Sequence, residues 1–140
     1  MNIVFLDAST LDRGDIDFAA LESEGPLTLH PITSAEEAPA RCAGAKIVIT
    51  NKVPVGTDLL NAAPDLKLVV SAATGVNQID LDACREAGVA VANVAGYSTA
   101  SVAQHVFALI LELASRVGTT NLSVRTDWPA SPIFTRLDHP

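Results

Sequence analysis

The chain is short of cysteine, of basic residues and of long apolar runs, and each shortage closes off a class of function. Its two cysteines, Cys42 and Cys84, form neither a CxxC pair nor a cluster with histidine. No zinc site and no disulfide framework is expected, and a reducing, cytoplasmic setting is the simple expectation. Nine lysines and arginines are scattered among sixteen acids, for a net charge of -7. Phosphate recognition needs clustered cations, so neither a nucleic acid nor an anionic membrane surface is an expected partner. The longest apolar run, Val106 to Leu111, falls far short of the roughly 20 residues of a membrane span. At the start, Asp7 cuts off the apolar residues ending at Leu6, too early for a secretory leader, and the basic front of such a leader is missing.

What is present is a chain of 140 residues, 49% hydrophobic and 18% charged, enough to bury one core. Five β-branched or aliphatic runs recur: Ile3 to Leu6, Leu27 to Leu29, Ile47 to Ile49, Leu66 to Val70 and Val89 to Val94. They are runs rather than alternations, the pattern of strands buried on both faces in a parallel sheet. Helical stretches separate them. Ser34-Ala35-Glu36-Glu37 reads as a capping box, and Asp15, Thr57 and Asp80 stand as N-caps for helices at Phe18 to Glu22, Leu59 to Ala62 and Leu81 to Ala87. Gly88 closes the last of these as a C-terminal glycine. Strands alternating with helices at this spacing predict an α/β, flavodoxin-like, doubly wound five-stranded parallel sheet.

A longer helix from Thr99 to about Gly118 follows, and then a segment containing Trp128, Pro129, Pro132 and Pro140 that reads as loop. The expected organisation is a domain over 1–98, a helix over 99–118 and a linker over 119–140. The helix is apolar nearly all round, through Val102, Val106, Phe107, Leu109, Ile110, Leu111 and Leu113. Such a helix is buried all round, and one small sheet covers only one face of it. A second domain or a second subunit is expected on the other.

In doubly wound sheets ligands sit beyond the carboxyl ends of the strands. After the first strand, Asp7-Ala8-Ser9-Thr10-Leu11 lacks the loop a flavin phosphate needs, and Thr50-Asn51-Lys52 after the third lacks a response regulator's phosphorylatable aspartate. No glycines stand at the one-and-three spacing of a dinucleotide loop. His30, His105 and His139 have no acidic partner at a telling spacing, so a structural or solvent-exposed role is expected for each. The loop Ser71 to Asp80, rich in small residues, remains. Its backbone N–H groups can hold a carboxylate, or Gly75 merely permits a tight strand-to-helix turn. The residues alone leave both open.

Taken as a set, Ala73-Thr74-Gly75-Val76-Asn77-Gln78-Ile79-Asp80-Leu81, Ala87-Gly88-Val89-Ala90-Val91-Ala92-Asn93-Val94 and Tyr97-Ser98-Thr99-Ala100-Ser101-Val102-Ala103-Gln104-His105 resemble, in sequence and order, the D-2-hydroxyacid dehydrogenases. Ile3-Val4-Phe5-Leu6-Asp7 and Thr50-Asn51-Lys52-Val53-Pro54-Val55 resemble their hydroxypyruvate reductase (glycerate dehydrogenase) branch. The resemblance implies an NAD- or NADP-dependent reductase of small 2-keto acids such as hydroxypyruvate or glyoxylate, of which this chain is the substrate-binding part. The catalytic Arg, Glu and His would lie beyond residue 140, and Asp138-His139-Pro140 would fall where the strand into the nucleotide domain begins. It further implies that Gly75 and Val76 bind the substrate carboxylate, that Asn51 and Lys52 border the substrate pocket, and that Thr74 and Thr99 approach the cofactor. The 99–118 helix would serve the domain hinge and a homodimer interface. The alternative is a stand-alone small-molecule-binding or subunit-interaction module without catalysis.

Overall fold

A computed structural model describes residues 1–133, so His139 and the expected strand start at Asp138-His139-Pro140 lie outside the described residues. The five apolar runs become β1 (Ile3–Phe5), β2 (Leu27–Leu29), β3 (Ile47–Thr50), β4 (Leu68–Ser71) and β5 (Ala90–Asn93). They form one sheet in the order β2-β1-β3-β4-β5, every pair parallel, as expected of the flavodoxin-like winding. Register aligns the strand ends: Thr50 pairs with Ser71, and Ser71 with Asn93. A polar row thus stands where the apolar runs stop.

Alternate residues of the central strands face opposite cores. Val4, Val48 and Val69 enter the larger core with Ala38, Cys42, Leu59, Leu60 and Cys84, contributed by α2 (Ala38–Cys42), α3 (Thr57–Ala62) and α4 (Leu81–Glu86). Ile3, Phe5 and Ile49 form a smaller core with Phe18 and with Leu21 of α1 (Ala19–Glu22). Phe5 and Phe18 meet edge to face there, ring centroids 6.4 Å apart. Burial on both faces therefore describes β1 and nearly all of β3. At the sheet edges it fails: β2 and β5 expose most of their residues, because an edge strand has a neighbour on one side only and little packs over these two.

The end signals divide by whether a short-range partner fixes them. Asp80 caps α4 by accepting from Ala83 N at 2.9 Å. Gly88, at φ +69°, closes it, its N–H donating to Arg85 O and Val89 N–H to Cys84 O, the paired bonds of a Schellman ending. Ser34 N donates to Glu37 Oε2 and Glu37 N to Ser34 Oγ, so the capping box forms, one turn ahead of α2. The other two caps differ from expectation. Asp15 takes Arg13 N instead, while Asp17, nearer to α1, accepts from Ala19 N. Thr57 is already helical and Gly56 precedes it without a side-chain cap.

The chain divides into two compact units, Met1–Tyr97 and a second beginning at Ser98. In the second, α5 (Thr99–Ser115) stops short of Gly118, Arg116 turns left-handed at φ 48°, and α6 (Val117–Thr126) follows. Reading 119–140 as loop is corrected up to Thr126, and a 3-10 turn at Trp128–Ala130 follows. The break has a visible cause. Glu112 O receives Arg116 N–H and Glu112 Oε1 receives Gly118 N–H, so one glutamate ends α5 and caps the start of α6. Among the described residues no single helix is long and apolar enough to cross a membrane; α5 and α6 pass that test only as a pair bent by 44°.

Candidate functional site

The carboxyl ends of β1, β3 and β4 carry the polar groups that the sheet gathers. Asp7, following β1, is buried at 3% exposure. Its carboxylate accepts from the N–H groups of Asn51, Lys52 and Val53 at 2.9, 2.6 and 3.3 Å. Three successive backbone donors converging on one point form an anion-binding nest. Here the nest at the β1/β3 switch is filled from within the chain, and an external anion must be held elsewhere. Asn51 Nδ2 donates to Thr10 Oγ1 at 3.0 Å, and Thr10 Oγ1 to Asp7 O at 2.7 Å. Thr50 Oγ1 closes the turn on Val53 O.

One strand along, Ser71 ends β4 fully buried. Its hydroxyl donates to Gly75 O at 2.7 Å and accepts from Gln78 Nε2 at 2.9 Å. The loop is tied to its neighbour on each side. Val55 N donates to Gln78 O and Asp80 N to Val55 O, a parallel bridge of Val55 with Ile79. Asn93 Nδ2 donates to Thr74 O, and Thr74 Oγ1 to Val94 O. Between the two loops lies a cleft of about 400 Å³ lined by Asn51, Lys52, Ala73, Gly75, Asn77 and Gln78. Lys52 forms no ion pair among the described residues, so its ammonium gives this cleft a free positive charge. A second cleft of about 340 Å³ beside Pro39 and Pro54 contains Asp58 and no cation, which disfavours an anion there.

The expected substrate residues Asn51, Lys52 and Gly75 meet at one cleft. Val76 follows Gly75 but packs its side chain against the larger core. Thr74 is committed to the end of β5 and does not line the cleft. Thr99 opens α5 in the second unit. His30 ends up beyond β2, its imidazole held below the ordinary value by burial and then by the Arg41 guanidinium, and it is no part of the cleft lining. His105 lies within α5. Sequence reasoning missed Asp7, Ser71 and Gln78. For Asp7 the signal was an acid directly following a buried apolar run; for Ser71 and Gln78 there was none beyond position.

The structure bears on the turn reading of Gly75. Its φ lies outside the left-handed region that favours glycine, and a Cβ built there meets nothing within 4 Å. Neither the turn nor the packing requires a glycine. What the missing side chain leaves open is the cleft.

Residues 5–128 match the D-isomer specific 2-hydroxyacid dehydrogenase family, catalytic domain. The chain belongs to that family. It is 37% identical to the hydroxypyruvate reductase of Blautia hydrogenotrophica over 144 residues, covering all of this chain and 45% of the relative. With the glycerate dehydrogenase of Methylorubrum extorquens it shares 36% identity over 141 residues, 99% of this chain and 44% of the relative. The chain thus spans less than half the length of these curated relatives. Among solved structures, a D-lactate dehydrogenase from Aquifex aeolicus complexed with NAD and lactic acid superimposes with a TM-score of 0.75 at 24% identity, over 98% of this chain and 39% of that one. An acyclic imino acid reductase in complex with NADPH and D-Arg gives 0.78 at 21% identity, over 96% and 44%. These two likenesses establish the shared fold.

For a member of this dehydrogenase family the residues present do not fit a dinucleotide. The glycines at 14, 25, 44, 56, 75, 88, 96 and 118 never take the pyrophosphate-loop spacing, and the nest that follows β3 is filled by Asp7. Of the two clefts described, the one lined by Lys52 suits a small anion better.

Proposed function

We propose that this chain supplies the carboxylate-binding side of a site for small 2-keto and 2-hydroxy acids, hydroxypyruvate and glyoxylate being the preferred class, in an NAD- or NADP-dependent reductase. One observation carries the reading. The backbone N–H groups of Gly75 and Val76 donate to no acceptor among the described residues, and they stand where a glycine that the fold does not need keeps the cleft open. Free N–H groups and the Lys52 ammonium suit a carboxylate: the amides fix its direction and the cation its charge. Hydride transfer and the proton that accompanies it rest on groups these residues do not include, so the chain alone is expected to bind a keto acid without reducing it. Thr74 and Thr99 belong to this proposal as residues facing the cofactor side, and a cytoplasmic setting fits the redox state expected of two buried free thiols.

The test is Gly75→Val. Because a side chain at position 75 is neither strained nor crowded within the chain, the melting temperature should stay within about 2 °C while glyoxylate binding, followed by calorimetry or amide shifts, weakens about tenfold or more. A lowered melting temperature with unchanged binding would return Gly75 to a turn residue and remove the basis of the proposal.

We further propose that α5 meets a second copy of the chain. Phe107, Ile110, Leu111 and Leu113 are between 53% and 79% exposed, and no residue of α5 is buried. Apolar surface of that extent ordinarily marks an interface.

A further inference from the structure

We infer that Ser71 is a positioning residue, which turns the Gly75–Val76 peptide so that its N–H is offered to the substrate carboxylate, and that Gln78 sets the direction of the Ser71 proton. The inference rests on the carboxylate reading above and goes one layer beneath it. The argument is one of hydrogen-bond polarity. A carbonyl oxygen only accepts, so the 2.7 Å bond between Ser71 Oγ and Gly75 O uses the serine proton. A hydroxyl has one proton, so toward Gln78 at 2.9 Å the same oxygen can only accept. The Gln78 amide must then present its nitrogen to Ser71. Its orientation follows from chemistry, independently of how oxygen and nitrogen are assigned in the amide.

Peptide geometry carries the relay one step further. Gly75 C=O and Val76 N–H belong to one planar trans unit and point in opposite directions. Ser71 sits fully buried at the end of β4, so pinning the carbonyl toward it points Val76 N–H away from the strand end. There the N–H finds no acceptor among the described residues. The pin matters because the residue is glycine. With no Cβ, Gly75 has a wider range of backbone conformations than any other residue, and an unpinned Gly75–Val76 peptide would also adopt orientations that show its carbonyl oxygen to the cleft. A carbonyl there repels the carboxylate that the N–H attracts. Ser71 removes those orientations before the ligand arrives, which is the benefit of preorganisation.

The experiment uses the isotope-labelled chain titrated with glyoxylate, reading the Val76 amide for binding and the dispersion of the remaining amides for folding. In the wild-type chain the Val76 amide shifts saturably. Ser71→Ala, still folded, should weaken the apparent affinity about fivefold to tenfold, the worth of one fixed hydrogen bond. Ser71→Thr, which restores the hydroxyl, should return it to within about twofold. Gln78→Leu leaves the hydroxyl but frees its direction, and should fall between the two. A folded Ser71→Ala chain with wild-type affinity overturns the inference, as does a folded Ser71→Thr chain that binds no better than Ser71→Ala. If Ser71→Ala does not fold, Gln78→Leu decides: weakened binding supports the relay, unchanged binding overturns it. Absence of any Val76 shift in the wild-type chain refutes the carboxylate reading itself, and this inference with it, before any variant is made.

Discussion

Replacing Asp7 tests whether the candidate site is assembled by one buried carboxylate. Its oxygens take the N–H of Asn51, Lys52 and Val53, and Asp7, Asn51 and Val53 are all buried. In Asp7→Ala the donors of Asn51 and Val53 lose their acceptor inside the protein, whereas Lys52, at the exposed edge of the cleft, can turn its N–H to water. Two buried donors left unsatisfied, at about 1–2 kcal/mol each, make the loss about 3 kcal/mol. The informative variant is Asp7→Asn. Its one oxygen, standing in the place of Oδ2, can still take the N–H of Lys52, of Val53 and, at 3.2 Å, of Asn51. The amide nitrogen then faces Asn51 N, which Oδ1 now accepts at 2.9 Å. Donor opposes donor at that one place, and the nearly isosteric change should cost about half as much as the truncation.

For a unit of this size, about 3 kcal/mol corresponds to a fall in melting temperature of roughly 15 °C. Urea unfolding followed by circular dichroism, with the slope unchanged and only the midpoint moved, is the assay. Glyoxylate affinity should drop in both variants where they remain folded, since the loop that carries Lys52 loses its anchor. An Asp7→Ala chain within about 0.5 kcal/mol of wild type would refute the reasoning, for it would mean that the buried N–H groups find other acceptors at no cost.

The chain should self-associate through α5: burying a few hundred Å² of its exposed apolar face yields several kcal/mol at about 25 cal/mol per Å². Light scattering across a dilution series, with Leu111→Lys as the comparison, checks this, and a wild-type chain that stays monomeric at tens of micromolar would contradict it. Burial pushes the Cys42 thiol up to about 11 and raises Cys84 as well, Asp80 adding to the effect; native protein at pH 8 should leave a thiol reagent unreacted until denaturant is added. Because the unfolded chain gives up the Cys42 proton near 9.0 and the folded chain holds it to about 11, stability should fall as pH rises through that window. Ser34→Ala should cost about 1 kcal/mol by opening the capping box. Glu37, held below its ordinary value chiefly by the Ser34 N–H, should contribute stability above the ordinary glutamate range and lose it as pH falls through its own lowered value, a trend read from unfolding midpoints in acid.

What could be read from the sequence is what short-range chemistry determines. The central strands β1 and β3 appear as apolar runs because a strand covered on both faces has no polar positions to show; the edge strands β2 and β5 show the same runs without that burial, and the parallel winding follows from the crossovers. Asp80 and Gly88 could be assigned because their partners lie within five residues. The helix α6 could not. Gly118, Thr119, Thr120, Asn121, Ser123 and Thr126 are weak helix formers and show no apolar stripe, and the start of α6 is capped by Glu112, on the preceding helix.

The site divides along the same line. Gly75 could be proposed from the small residues of its loop, whereas Asn51 and Lys52 were named through the family resemblance; the structure brings the three to one cleft. Asp7 acts through partners that only the fold brings close, 44 to 46 residues away, while Ser71 acts through Gly75 and Gln78, four and seven residues on, by a loop conformation that residue type does not reveal. The two readings of Gly75 marked the limit. A glycine required by a turn and a glycine required by a ligand are the same letter, and what separates them is a backbone angle and an empty volume. Where neither a turn angle nor close packing asks for the glycine, the proposed carboxylate would, and position 75 becomes the place where that proposal is most exposed to a single substitution.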